Sequence, residues 1–318
     1  MDMRSPDLIT FGETMGLFMT PEYRGLEHSA TVEQSFGGAE SNVAIGAARL
    51  GCSVGWFGAL GDDPFGAAIY KTMRGEGVDV SRARLVAGAE TGLMFRENAS
   101  GKLAVHYRRK GSAASLMRPE QLDEAYIAGS KLLHVTGITA AIGEHARSSL
   151  LEAVRIARQA GVRICFDPNL RLKLWSLEEA RRALLPLAEQ ADYYLPGWDE
   201  LQLLYDTKDE AEILDRLAAL KAVSVVKGYG EATLVLDNGK RTEVPFHPAA
   251  KVVDTVGAGD GFCAGFLAGI VKGETAVESV RIGSICGSLV VQGRGDWEAL
   301  PDWRTVEGLL SDRVWVER

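Results

Sequence analysis

The stretch Val252-Val253-Asp254-Thr255-Val256-Gly257-Ala258-Gly259-Asp260-Gly261-Phe262 sets one carboxylate, Asp260, directly behind a run of small residues. A strand-like segment enters the run, and FCAGFLAGIVKG, rich in small and apolar side chains, leaves it as a buried helix. The first amides of a helix have no internal partners, and the helix dipole adds positive potential, so an anion such as phosphate is held well there. Glycines let the backbone come close to that anion. Asp260 falls in the first turn, within reach of the same point. As a base beside an amide cradle it would accept the proton of an attacking hydroxyl. The amides of Gly257, Ala258 and Gly259 would meanwhile stabilise charge on a transferring phosphoryl group. Taken alone, an Asp here also reads as an N-terminal cap.

Other phosphate-binding patterns are missing. No Gly-Lys pair is followed by Ser or Thr, which excludes a P-loop, and no GxGxxG follows an early strand. Gly257-x-Gly259-x-Gly261 has the wrong spacing for a dinucleotide fingerprint, so a dehydrogenase is not expected.

Residues able to bind a polar substrate stand at predicted strand ends and turns. GGAESN puts Gly37 and Gly38 before a helix, with Asn42 able both to donate and to accept; helix capping is the alternative use of these residues. Arg108, Arg109 and Lys110 form a basic cluster after Tyr107, which alone reads as a solvated edge. Arg171 follows a predicted strand, at the sheet end where ligands gather in α/β folds. Two guanidinium forks converging from separate segments would suit a planar carboxylate, which a neutral sugar lacks.

The elements that must hold these groups alternate along the chain. Residues 8–12, 53–61, 131–139, 162–169, 192–196 and 223–228 read as buried strands. Residues 40–51, 145–161, 176–190 and 209–220 place apolar side chains at helical spacing, and helices return from Ala258 to about Val291. This rhythm predicts one α/β domain over 1–318: a mostly parallel sheet flanked by helices on both faces. Two insertions, 15–36 and 90–111, contain short alternating strands and predict a small β-sheet lid. Asn238-Gly239 predicts a hairpin turn.

Composition narrows the partners. Apolar residues make up 46% and charged residues 25%, as in an ordinary globular chain, and the net charge of −8 argues against nucleic acid or an anionic membrane surface. The chain shows no signal-peptide pattern and no run long enough to span a membrane, and its four cysteines lack CxxC spacing, so reduced thiols in the cytoplasm are expected.

DTVGAGDGFCAGF, together with FGGAESNVAIGAARLG and GALGDDPFG, resembles the paired C-terminal and N-terminal signatures of the ribokinase-like, or PfkB, family of carbohydrate kinases. The resemblance runs from LITFGE to GRGDWEALP. It implies a ribokinase-like fold, ATP and Mg2+ as cofactors with a monovalent cation such as K+ as an option, and phosphoryl transfer to a sugar hydroxyl. Asp260 falls on the family's catalytic base and Gly257, Ala258 and Gly259 on its anion hole. Lys227, Gly228 and Gly230 in VVKGYGEA, with Ser284 and Gly287, fall where the family binds nucleotide. Glu200 matches the Glu of an Asn-x-x-Glu element that acts indirectly on magnesium, but Gly197 stands where the Asn belongs. YRRKGSAAS, HVTGIT, DPNLRLKLW and GRGD together are similar to 2-keto-3-deoxygluconate kinases, in which Tyr107, Arg109, Arg171 and Asp296 would contact the substrate. DPNLRLKLW is also similar to fructokinases, so a neutral-sugar kinase stays open as the alternative, and a non-catalytic sugar sensor as a remoter one. The lid residues Leu17, Phe18 and Met19 are a candidate contact for a homo-oligomer.

Overall fold

A computed structural model describes residues 5–21, 24–99 and 102–311; Glu22, Tyr23, Ser100 and Gly101 of the two insertions and both chain ends lie outside the described residues. An eight-stranded sheet runs in the order Lys240–Pro245, Ala232–Asp237, Val223–Tyr229, Tyr193–Tyr194, Arg163–Asp167, Leu132–Thr136, Leu8–Phe11, Val54–Phe57. From Val223–Tyr229 to Val54–Phe57 every neighbouring pair is parallel, and the last two strands at the other edge are antiparallel hairpins. Asn238 and Gly239 both take positive φ, 48° and 78°, which makes the tight turn expected of this dipeptide.

Helices cover both faces. Glu144–Ala160, Leu177–Ala188, Trp198–Tyr205 and Glu210–Ala218 pack on one, around Phe166, Tyr194, Leu184 and Leu201. Ala39–Arg49, Pro64–Gly75 and Ala258–Lys272 pack on the other, around Trp56, Ile45, Phe266 and Leu267. The central strands are buried on both sides and so read as continuous apolar runs. Caps fix several helix starts: Ser176 and Glu179 form a reciprocal capping box, and Asp209 accepts from Glu212 N.

Two predicted strands end early. Residues 131–139 pair only as Leu132–Thr136, because Thr136 caps Ile138 N and opens the helix Gly137–Ala141. Residues 53–61 split into Val54–Phe57 and Ala59–Gly61, the latter pairing with Arg84–Val86 in a separate two-stranded sheet. The insertions do form one small sheet, ordered Glu33–Gly37, Met15–Met19, Leu93–Ala99, Lys102–Arg108. Its alternation turns Leu17 and Met19 inward, with Met15 and Met94, under the sheet. They therefore offer no outer surface to a second copy, unlike Phe18, which stacks on Phe95 across the other face.

Candidate active site

The site lies at the carboxyl ends of the parallel strands, beneath the small sheet. Its floor is the start of Ala258–Lys272. Gly257 caps that helix with φ of 80°, and a Cβ there would fall 2.2 Å from the carbonyl oxygen of Asp296, so only glycine fits. No side chain caps this helix, and Gly257 and Gly259 line a cleft of about 590 Å³; Ala258, expected to share the cradle, does not line it, and its N donates back to Thr255 O at 3.4 Å as the turn closes. The turn is steadied from behind, where Val256 N donates to Asp254 Oδ1 at 3.1 Å.

Asp260 is half-buried at the cleft floor, and its Oδ2 accepts from Asn42 Nδ2 at 2.7 Å. Its hydrogen bond thus comes from another helix, which favours the base over the capping reading. Burial raises the Asp260 pKa to about 6; the Asn42 hydrogen bond opposes the rise, Asp167 adds to it, and Arg171 and Lys227 oppose it. A carboxylate tuned this way is ionised at neutral pH yet more basic than an ordinary Asp. Asn42 is fixed in turn, for its Oδ1 lies 3.4 Å from Gly38 N at the start of Ala39–Arg49. Gly38 borders the cleft, and Gly37 sits behind it against Asp296 and Met94.

The opposite wall comes from other strand ends. Asp167 closes Arg163–Asp167 and bonds Lys227 Nζ at 2.8 Å. Burial opposes the Lys227 charge, and Asp167, Cys263 and Glu200 more than overcome it, so Lys227 stays protonated. Both carboxylate oxygens of Glu200 are committed to backbone amides, Oε1 to Leu170 N at 2.6 Å and Oε2 to Gly197 N at 2.7 Å. Burial and the neighbouring Asp167 raise its pKa, against Lys227 and these two bonds. Glu200 thereby ties the loop carrying Asn169 and Arg171 to the helix Trp198–Tyr205, and Gly197 caps that helix with its backbone alone.

The lid supplies the third wall: Met15, Leu17, Met94, Val105 and Tyr107, with Arg96 among them. Arg96 is a buried cation that no motif pointed to. Period-two alternation in TGLMFREN sets it on the face of Met94, and register pairs it with Val105, so the signal was present in the strand pattern. Asp296 faces it at 3.0 Å, and burial raises the Asp296 pKa to about 7 against the pull of Arg96.

Of the residues expected to bind substrate, Gly38, Asn42, Tyr107, Arg171 and Asp296 come together in the cleft. Arg109 does not line it. The strand ends at Arg108, and the Arg109 guanidinium turns onto buried Glu13, which also accepts from Ser112, and sits 5.6 Å from the Tyr107 ring centroid. Arg171 and Arg96, not Arg171 and Arg109, line the cleft, and Arg96 is already engaged by Asp254 and Asp296. Gly228 and Gly230, with φ of 71° and 58°, make the open turn beyond Lys227, outside the cleft lining. Ser284 Oγ accepts from His247 N, and Gly287 lies on the same helix, Ala276–Val290, against Ala258.

Among the described residues no group of His, Cys, Asp and Glu forms a metal-ligand set. Asp167 and Glu200 are the carboxylates on that wall, and both are already engaged. This suits a magnesium ion carried in by nucleotide phosphates better than one caged by protein. The described cysteines are free, and no described helix is long and apolar enough to cross a membrane.

The chain is 37% identical over 311 residues to a 2-dehydro-3-deoxygluconokinase of Bacillus subtilis (strain 168), covering 96% of this chain and 95% of that one. A 2-dehydro-3-deoxygluconokinase of Thermoproteus tenax is 33% identical, with 96% and 94% covered. A crystal structure of a PfkB protein from Polaromonas sp. JS666 superposes with a TM-score of 0.87 at 35% identity, covering 96% of this chain and all of that one. The family described as pfkB family carbohydrate kinase matches residues 5–303. With its parallel sheet, β lid and amide cradle beside Asp260, the chain belongs to the pfkB family of carbohydrate kinases.

Proposed function

We propose that the protein transfers the γ-phosphoryl group of ATP to a terminal hydroxyl of 2-keto-3-deoxygluconate (2-dehydro-3-deoxygluconate), giving the 6-phosphate. The observation that carries this reading is the seat of Asp260, a carboxylate raised to about 6, held by Asn42 beside the open amides of Gly257 and Gly259. Asp260 takes the proton as the hydroxyl oxygen attacks phosphorus and the bond to the ADP oxygen breaks; the amides and Lys227 hold the charge that spreads over the phosphoryl oxygens. The sugar lies under Met94, Val105 and Tyr107, with its hydroxyls toward Asn42 and Asp296 and its carboxylate toward Arg171. Arg109 acts from behind, bracing Tyr107 from its seat on Glu13.

Nucleotide enters along Lys227 and the Gly228–Gly230 turn, flanked by the helix of Ser284 and Gly287. Magnesium would be held on its phosphates and would supply charge neutralisation there, with Asp167 and Glu200 as the carboxylates able to order its water shell; a monovalent cation such as K+ stays an option. ATP as donor puts the enzyme in the cytoplasm, and a homo-oligomer would use the outer lid face around Phe18 and Phe95. The whole chain acts as one catalytic domain. Coupled ADP release from purified protein with 2-keto-3-deoxygluconate, fructose, ribose and adenosine tests the reading. The sugar acid is expected to give the highest kcat/KM; a fructose preference would replace it with a fructokinase, and no ADP release with any acceptor would leave only a sensor.

A further inference from the structure

Arg96 joins three separate segments of the chain. It projects from the lid strand Leu93–Ala99, its side chain is 6% exposed, and its two terminal nitrogens take different acids. Nη2 stands 3.1 Å from Asp254 Oδ2 and Nη1 stands 3.0 Å from Asp296 Oδ1. Both partners bear on the amide cradle. The other oxygen of Asp254 accepts from Val256 N and so fixes the turn entering Gly257, and the backbone carbonyl of Asp296 packs directly against Gly257. One guanidinium therefore links the roof of the cleft to the two supports of its floor.

Electrostatics makes that link hard to replace. Asp254, Asp260 and Asp296 crowd one poorly solvated corner, and each of Asp254 and Asp260 pushes the Asp296 pKa upward. A planar fork can hold two carboxylates at fixed angles, which a lysine ammonium on a flexible stem cannot do. Without Arg96 the two acids would repel, the Asp254 carboxylate would be free to leave Val256, and the turn would lose its support.

We propose that Arg96 is a positioning residue that couples the lid to the phosphoryl-binding amides, so that the Gly257–Gly259 turn is in register only while the lid strand is seated. Sugar held under the lid then stabilises the cradle that receives the phosphoryl group, and water without sugar meets a looser one. This rests on the kinase reading above but not on the identity of the sugar.

The test compares Arg96→Met and Arg96→Lys with the wild type, using whichever acceptor gives the wild type its highest turnover. Misplacing catalytic groups by about 1 Å costs on the order of 100-fold, so Arg96→Met is expected to lose about that much kcat, with the KM for ATP changed less than about threefold. Arg96→Lys, a single charge, recovers less than a tenth of the lost activity, whereas added millimolar guanidinium restores Arg96→Met at least several-fold. Hydrogen exchange of the segment 252–259, slowed by sugar in the wild type, is no longer slowed in Arg96→Met. A kcat within threefold of wild type would overturn the proposal. So would a loss that comes with a lower melting temperature, no guanidinium rescue and intact sugar-dependent protection, since that marks plain structural support. If the wild type itself releases no ADP with any acceptor, the kinase reading fails instead, and the exchange experiment still decides the coupling.

Discussion

Replacing Asp260 with Asn removes the base and leaves the shape. Asn42 Nδ2 still finds an oxygen to donate to, so the contact seen at 2.7 Å survives in form. Burial opposes the Asp260 charge, so the variant is expected to melt no lower than wild type at pH 7. Loss of a general base in a positioned site typically removes about 10²- to 10⁴-fold in rate, and kcat should fall within that range while the KM for ATP barely moves. The raised pKa adds a second signature. With a pKa of about 6, Asp260 is about nine-tenths ionised at pH 7 and about one-tenth ionised at pH 5. The kcat/KM of the wild type should therefore drop about tenfold from pH 7 to pH 5, where an unperturbed Asp would hardly change. Asn42→Ala removes the hydrogen bond that holds the carboxylate down, so the acid limb should move to higher pH. Stopped-time ADP assays across pH 4.5–8 on the three proteins read all of this. Asp260→Asn activity within tenfold of wild type would refute the base assignment. So would residual activity in that variant with the same limb near pH 6, because the limb would then belong to another group.

Arg171→Ala should reduce kcat/KM for the sugar acid by about 10- to 100-fold, the worth of one charge-assisted hydrogen bond, and for fructose by much less; equal losses in the coupled assay would remove the carboxylate role. Gly257→Ala forces a side chain into positive φ and to 2.2 Å from the Asp296 carbonyl, so it should be destabilised by about 1–3 kcal/mol or more in denaturant melts. Gly259→Ala, with nothing within 4 Å of the new Cβ, should keep its stability and lose activity by narrowing the cradle. Glu40 is buried against Thr136 and Thr139, and burial raises its pKa from 4.5 to about 7. The folded protein keeps this proton across that window while the unfolded chain releases it near 4.5. Glu40 therefore makes stability fall as pH rises from about 4.5 to 7, and Glu40→Gln should flatten that part of the denaturation profile, an unchanged slope counting against it.

The sequence by itself determined the class of fold and the chemistry of the floor. Both are local: apolar runs alternating with capped amphipathic segments can only be satisfied by a sheet covered on both faces, and a glycine turn opening a buried helix beside Asp260 makes its anion site within a few residues. The lid was also legible from its period-two strands, although Thr136 and the Gly58 break between Val54–Phe57 and Ala59–Gly61 ended two strands sooner than the apolar runs suggested. What only the tertiary structure decided was which charges share the cleft. Arg109 and Arg96 are both arginines near a lid strand, but the chain turns after Arg108 and buried Glu13 captures Arg109. Arg96 instead points inward and finds Asp254 and Asp296, each more than 150 residues away in the chain. Glu200 matched a metal-organising position by motif, and only the structure showed that its two oxygens also hold the backbone amides of Leu170 and Gly197. Such pairings depend on distances between segments that no local pattern encodes, and in a poorly solvated cleft those distances set which groups are charged, which are free and which can reach a substrate.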